Sequence, residues 1–141
     1  MDYPIVAPGV EYLIEQQGFK VEKSICTAFI VDGDGKQVSD RYHEFRFLQT
    51  PKGRMLIGIA GSGSYLLDEA FQQLCGYHEY RFLHTRRGKI LTGKSGAITE
   101  VLSKDFLPVF GYHEIIPDGD TLICKLGTAE SRVEILDDWL F

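Results

Sequence analysis

Cysteine is scarce in this chain. Three occur in 141 residues, Cys26, Cys75 and Cys124, and none belongs to a C-x-x-C pair. An odd count leaves one unpaired under any scheme, which does not suit a disulfide scaffold. Each lies among apolar residues, which reads as a reduced, buried small hydrophobe in a cytoplasmic protein. Long apolar runs are also missing, and none approaches the ~20 residues of a membrane span. The start, MDYPIVAPGVEYL, is acidic and interrupted by proline, without the basic opening and apolar run of a secretion signal. Positive charge is short as well. Fifteen Lys and Arg face 20 Asp and Glu, a net charge of −5, which argues against nucleic acid as a partner.

The remainder is an ordinary globular composition, 44% apolar and 25% charged. The length suits a single domain, 1–141, with enough core to fold without a metal. Charge is spread unevenly: residues 77–111 carry +3 and residues 112–141 carry −5. A basic middle beside an acidic end suggests association between copies, screened by salt.

An internal repeat dominates the pattern. Tyr-His-Glu occurs at 42–44, 77–79 and 112–114, at a constant interval of 35 residues. Segments 42–76 and 77–111 share 14 of 35 residues without a gap, a likeness that points to duplication. A third copy, 112–141, fits once its first hairpin is shortened by four residues, and 1–41 reads as a divergent leading segment. Each copy opens with alternating residues (His43, Phe45 and Phe47 on one side), then a turn at Pro51-Lys52-Gly53 or its equivalent, then a second strand. Glycine and small hydroxyl residues follow. Leu66, Leu67, Ala70, Phe71 and Leu74 then recur at helical spacing. The expected fold is therefore α+β: strand–turn–strand–helix units making a mostly antiparallel sheet, with helices packed on one face. In the leading segment, Gly9–Gln17 reads as a short helix ended by Gly18, 19–31 as a strand, and Asp32-Gly33-Asp34-Gly35 as a hairpin turn.

Candidate sites follow from the repeat. His43, His78 and His113 supply three imidazoles, and three nitrogens converging on an axis would suit zinc; no other cofactor is expected. The alternative is one structural histidine copied three times. Glu44 with Arg46, and Glu79 with Arg81, read as ion pairs along a strand face. Gly88–Ser95, GKILTGKS, satisfies the phosphate-loop spacing. However, its middle residues favour a strand, and the copy at Gly53–Ala60 keeps the glycines but loses the lysine and serine. A weaker anion site remains, with Arg86, Arg87, Lys89, Lys94, Ser95 and Gly96 around a glycine-opened helix start. It would take a phosphate-bearing ligand or nucleotide. Trp139, Leu140 and Phe141 offer an aromatic anchor for a partner. No acid–base–nucleophile set is visible. The expected function is thus binding another protein or another copy of itself rather than catalysis, with a metal-using enzyme or sensor built on the three histidines as the alternative.

Overall fold

The computed structural model describes residues 4–141; the first three residues of the N-terminal stretch discussed above lie outside them. The chain divides into two compact units, 1–76 and 77–141, and the division falls on the repeat boundary.

The first unit begins with β1 (Ile5–Val6) and α1 (Val10–Gln16), followed by the antiparallel pair β2 (Lys20–Lys23) and β3 (Ala28–Val31). The meander β4 (Glu44–Thr50), β5 (Gly53–Ala60), β6 (Gly63–Leu67) and β7 (Gln73–Tyr77) comes next. Its sheet has the order β1-β4-β5-β6-β7, with β1 running parallel to β4. Helix α1 forms because Val10 and Ile14, one turn apart, both reach the core. It stops where Gly18 takes the left-handed conformation, φ 87°. Tyr42, Phe45, Ile30 and Leu67 fill the same core.

The second unit holds two sheets. One is β8 (Glu79–Thr85), β9 (Gly88–Ser95), β10 (Ile98–Leu102) and β11 (Pro108–Tyr112), in the order β11-β10-β9-β8. The other is β12 (Glu114–Asp118), β13 (Thr121–Leu126) and β14 (Ala129–Glu134), followed by a 3-10 turn at Asp137–Trp139. Ile90, Val101, Ile115, Leu122, Ile135 and Trp139 form its core. Every strand bound of β4–β7 recurs 35 residues later in β8–β11.

The α+β expectation is corrected by this arrangement. Among the described residues there are fourteen strands and one α-helix, so the repeat unit is a strand meander with no helix packed on its face. The helical spacing of Leu66, Leu67, Ala70, Phe71 and Leu74 was a coincidence of two strands and a turn. Leu66 and Leu67 lie side by side on β6, and both are buried because both faces of that strand are covered. Ala70 and Phe71 sit in a five-residue turn. Asp68 Oδ1 accepts from the N–H of Ala70 (2.8 Å) and of Gln72 (2.9 Å), and Phe71 has φ 64°, outside any right-handed helix. The turns of Asp32 and Ser103 are built the same way, with their side-chain oxygens accepting from the residues two and four further on. Gly35 and Phe106 share the positive φ of Phe71. The leading segment therefore holds part of a fourth repeat. Its 19–31 stretch is not one strand but β2 and β3, joined where Ser24 N–H meets the carbonyl of Thr27 at 2.8 Å.

Candidate functional site

The three repeat histidines do structural work. His43 Nε2 accepts from the Gly61 N–H (2.9 Å), His78 Nδ1 from Gly96 (3.3 Å) and His113 Nδ1 from Gly127 (3.0 Å). Those glycines lie in the tight hairpin turns β5–β6, β9–β10 and β13–β14, with φ of 62°, 61° and 63°. A β-carbon in that conformation is disfavoured, so glycine recurs there. Each imidazole caps a turn whose N–H has no strand partner. An accepting nitrogen has committed its lone pair and is not free for a metal. Among the described residues, no three His, Cys, Asp or Glu side chains are placed together to hold one. The zinc expectation thus gains no geometry.

The tyrosine of each triplet is explained by packing. The ring of Tyr42 covers Gly58, where an added β-carbon would lie 2.7 Å from it, and Tyr77 covers Gly93 in the same way. Cross-strand register pairs Phe45 with Gly58, Tyr80 with Gly93 and Ile115 with Cys124. The third copy therefore carries Cys124 where the others carry glycine. Burial of Tyr42 pushes its phenol above the usual range, and its hydroxyl accepts from Gln73 Nε2 at 2.8 Å. Gly76 and Gly111 are kept for a similar reason, since side chains of Tyr65 and Ile98 lie across them.

The anion site loses the helix start on which it was built. No helix follows Gly96, and Gly88–Ser95 is strand β9 throughout, so the phosphate-loop spacing forms no loop. Two of the basic residues already have anions. Arg86 pairs with Asp120 at 3.1 Å, and Arg87 pairs with Asp137 and donates to the Ile135 carbonyl. Lys104 lies 3.9 Å from Asp138. Asp120 is held below the ordinary carboxylate range by the hydrogen bond and charge of Arg86. The basic middle and acidic end thus find each other inside one unit, and the charge asymmetry requires no second copy. Lys89, Lys94, Ser95 and Gly96 lie exposed along β9 and its turn without forming a cradle.

The C-terminal residues expected as a partner anchor pack on their own unit. Trp139 is 4% exposed and packs edge-on against Phe110, with centroids 5.2 Å apart. Leu140 bridges to Ile90, and the Phe141 ring lies edge-on to Phe82 and tilted against Phe106. Apolar side chains this close to a core complete it rather than wait for a partner. Of the three free cysteines only Cys124 is buried, and burial raises its thiol; Cys75 is half-buried and Cys26 exposed.

An open cleft of about 180 Å³ lies in the second unit, with Glu79, Arg81 and Lys94 on one wall and His113 and Glu114 on the other. It is smaller than the ~300–1,000 Å³ of usual ligand pockets. Glu79 is already paired with Arg81 at 2.5 Å.

The most distinctive open feature is a strand edge, which the sequence reading missed. In the first two full copies the third strand carries a fourth on its outer side, β7 on β6 and β11 on β10. Even in the leading segment, β3 is bridged by Gln37 and Tyr42. In the last copy β14 ends its sheet, and no described strand pairs with its outer side. The signal was present: Glu134 stands where Asp32, Asp68 and Ser103 make the five-residue turn. A glutamate is one methylene too long to accept from both N–H groups of that turn. The chain instead runs into the core through Ile135, which is 1% exposed.

No family model matches the chain, and neither a curated protein nor a solved structure is significantly similar to it. No described helix is long and apolar enough to cross a membrane.

Proposed function

We propose that this chain is a non-catalytic assembly module that takes an extended strand onto the open edge of β14. The carrying observation is the contrast among its own sheets: the position occupied by β7 and β11 stands empty beside β14. An unpaired edge offers a row of main-chain donors and acceptors, and adding a strand to it is a general recognition mode. Support also comes from the residues that resembled catalytic or metal sites. The imidazoles, the tyrosines and the paired arginines are occupied in holding turns and strands. Three free cysteines fit a reducing compartment such as the cytosol.

The test is amide hydrogen exchange with a synthetic peptide of residues 103–112, which brings the turn and strand β11. Millimolar peptide is expected to slow exchange at Glu130, Arg132 and Glu134. Unchanged exchange at all three would overturn the reading.

A further inference from the structure

We propose that the strand added to β14 is β14 of a second copy, giving a two-fold symmetric dimer whose register is set by charge. This rests on the edge-addition reading above and names its partner. The strand reads Ala129-Glu130-Ser131-Arg132-Val133-Glu134, and all but Val133 are exposed. On the inner side it pairs with β13 from Leu126↔Ala129 to Thr121↔Glu134, and Ile135 N–H continues the ladder to the Asp120 carbonyl at 3.4 Å. Main-chain groups alternate sides along an antiparallel ladder. Those of residues 129, 131, 133 and 135 therefore face β13, while those of Glu130, Arg132 and Glu134 face outward.

A symmetric partner must place outward residues opposite outward residues, which leaves few registers. Centring the pair on Ser131 sets Glu130 opposite Arg132 of the second copy, twice by symmetry, and Val133 opposite Ala129. Opposite charges directly across a strand pair attract. Centring it on Arg132 instead sets arginine against arginine and Glu130 against Glu134, which repel. Centring it on Val133 restores opposite charges, but only three residues of the strand then overlap, because the chain dives into the core at Ile135. The charges on this strand therefore favour one register and oppose its nearest neighbour, as a self-complementary interface requires. Within the sheet Glu130 lies 3.9 Å from Lys125 and Arg132 lies 2.6 Å from Asp118, exposed contacts on the inner side that pairing across the edge must share or replace.

Sedimentation equilibrium across a concentration series tests the proposal. The wild-type chain is expected to reach twice its 15.9 kDa mass. Glu130→Arg alone and Arg132→Glu alone should each weaken the dimer at least tenfold. Mixed one to one they should recover it, because two arginines then face two glutamates. A misfolded variant is not rescued by mixing, so recovery separates interface from stability. In a Cys26→Ser background, Ser131→Cys should cross-link copies under mild oxidation while Ala129→Cys should not. The central pair sits about 4.5 Å apart at Cα, within disulfide reach. A wild type monomeric at millimolar concentration, a mixture that stays monomeric, or equal cross-linking at both positions would each overturn the dimer. A monomeric chain whose β14 amides are nevertheless protected by the 103–112 peptide would remove self-pairing and keep the edge reading.

Discussion

The second and third copies open with the same three letters and put them to different use. At 77–79 the tyrosine is 7% exposed and seals Gly93 on β9. At 112–114 the tyrosine is half-buried and sits edge-on to Phe110, centroids 5.6 Å apart. The strand beneath it presents Cys124, fully buried, instead of glycine. A repeated motif thus preserves a backbone plan while its packing partners drift. The histidine is the part that keeps its role in all copies, because every copy retains the turn glycine it caps.

The largest effect that would break this contrast is at the sealed glycines. Gly93→Ala should destabilise the chain by about 3 kcal/mol, since the new methyl meets the Tyr77 ring and cores yield little to overpacking. Cys124→Ala should cost only about 1 kcal/mol, the loss of one small buried group. Thermal unfolding of the two variants measures the difference, and equal losses would mean that the tyrosine seal is unimportant. Next in size are the five-residue turns. Gly35→Ala should cost about 1 kcal/mol through its left-handed backbone, although the new methyl would meet open space. Denaturant titration at constant m-value reads that directly.

The histidines come third. His43→Ala should cost about 1 kcal/mol, the worth of a typical hydrogen bond. His78→Ala, which loses a longer bond at a more exposed site, should cost less. A reversed order would sever bond length from capping strength. The smallest effect is electrostatic. Asp120 has its pKa lowered by Arg86, so its stabilising contribution is complete above the ordinary aspartate pKa and fades as pH falls through the depressed value. Asp120→Asn should therefore lower stability slightly at neutral pH, leave it unchanged once the carboxyl would be protonated, and so flatten the acid limb, by a small amount because the pair is exposed.

Much of the plan is legible in the residues. The 35-residue interval, the paired strands and the turns at Pro51, Arg86 and Asp32 all stand where the letters place them. What misled was Leu66-Leu67 followed by Ala70-Phe71. Apolar neighbours at that spacing describe a helix face equally well as a strand buried on both sides with a turn after it. Phe71 and Phe106 hide the turn further, because a left-handed position is usually marked by glycine or asparagine. At the candidate sites, the sequence shows which charges exist but not which ones meet. Arg86, in the β8–β9 turn, and Asp120, in the β12–β13 turn, are far apart in the chain and meet in the fold. The bare edge of β14 is legible only once Asp32, Asp68 and Ser103 are known to build one turn that Glu134 fails to build.

The tyrosine that seals the second meander arrives at the end of the strand before it: Tyr77 closes β7, while the glycine it covers lies on β9. The place to splice a copy in or out is therefore ahead of that ring, between Gly76 and Tyr77. A transplant begun one residue later would leave its aromatic lid with the donor.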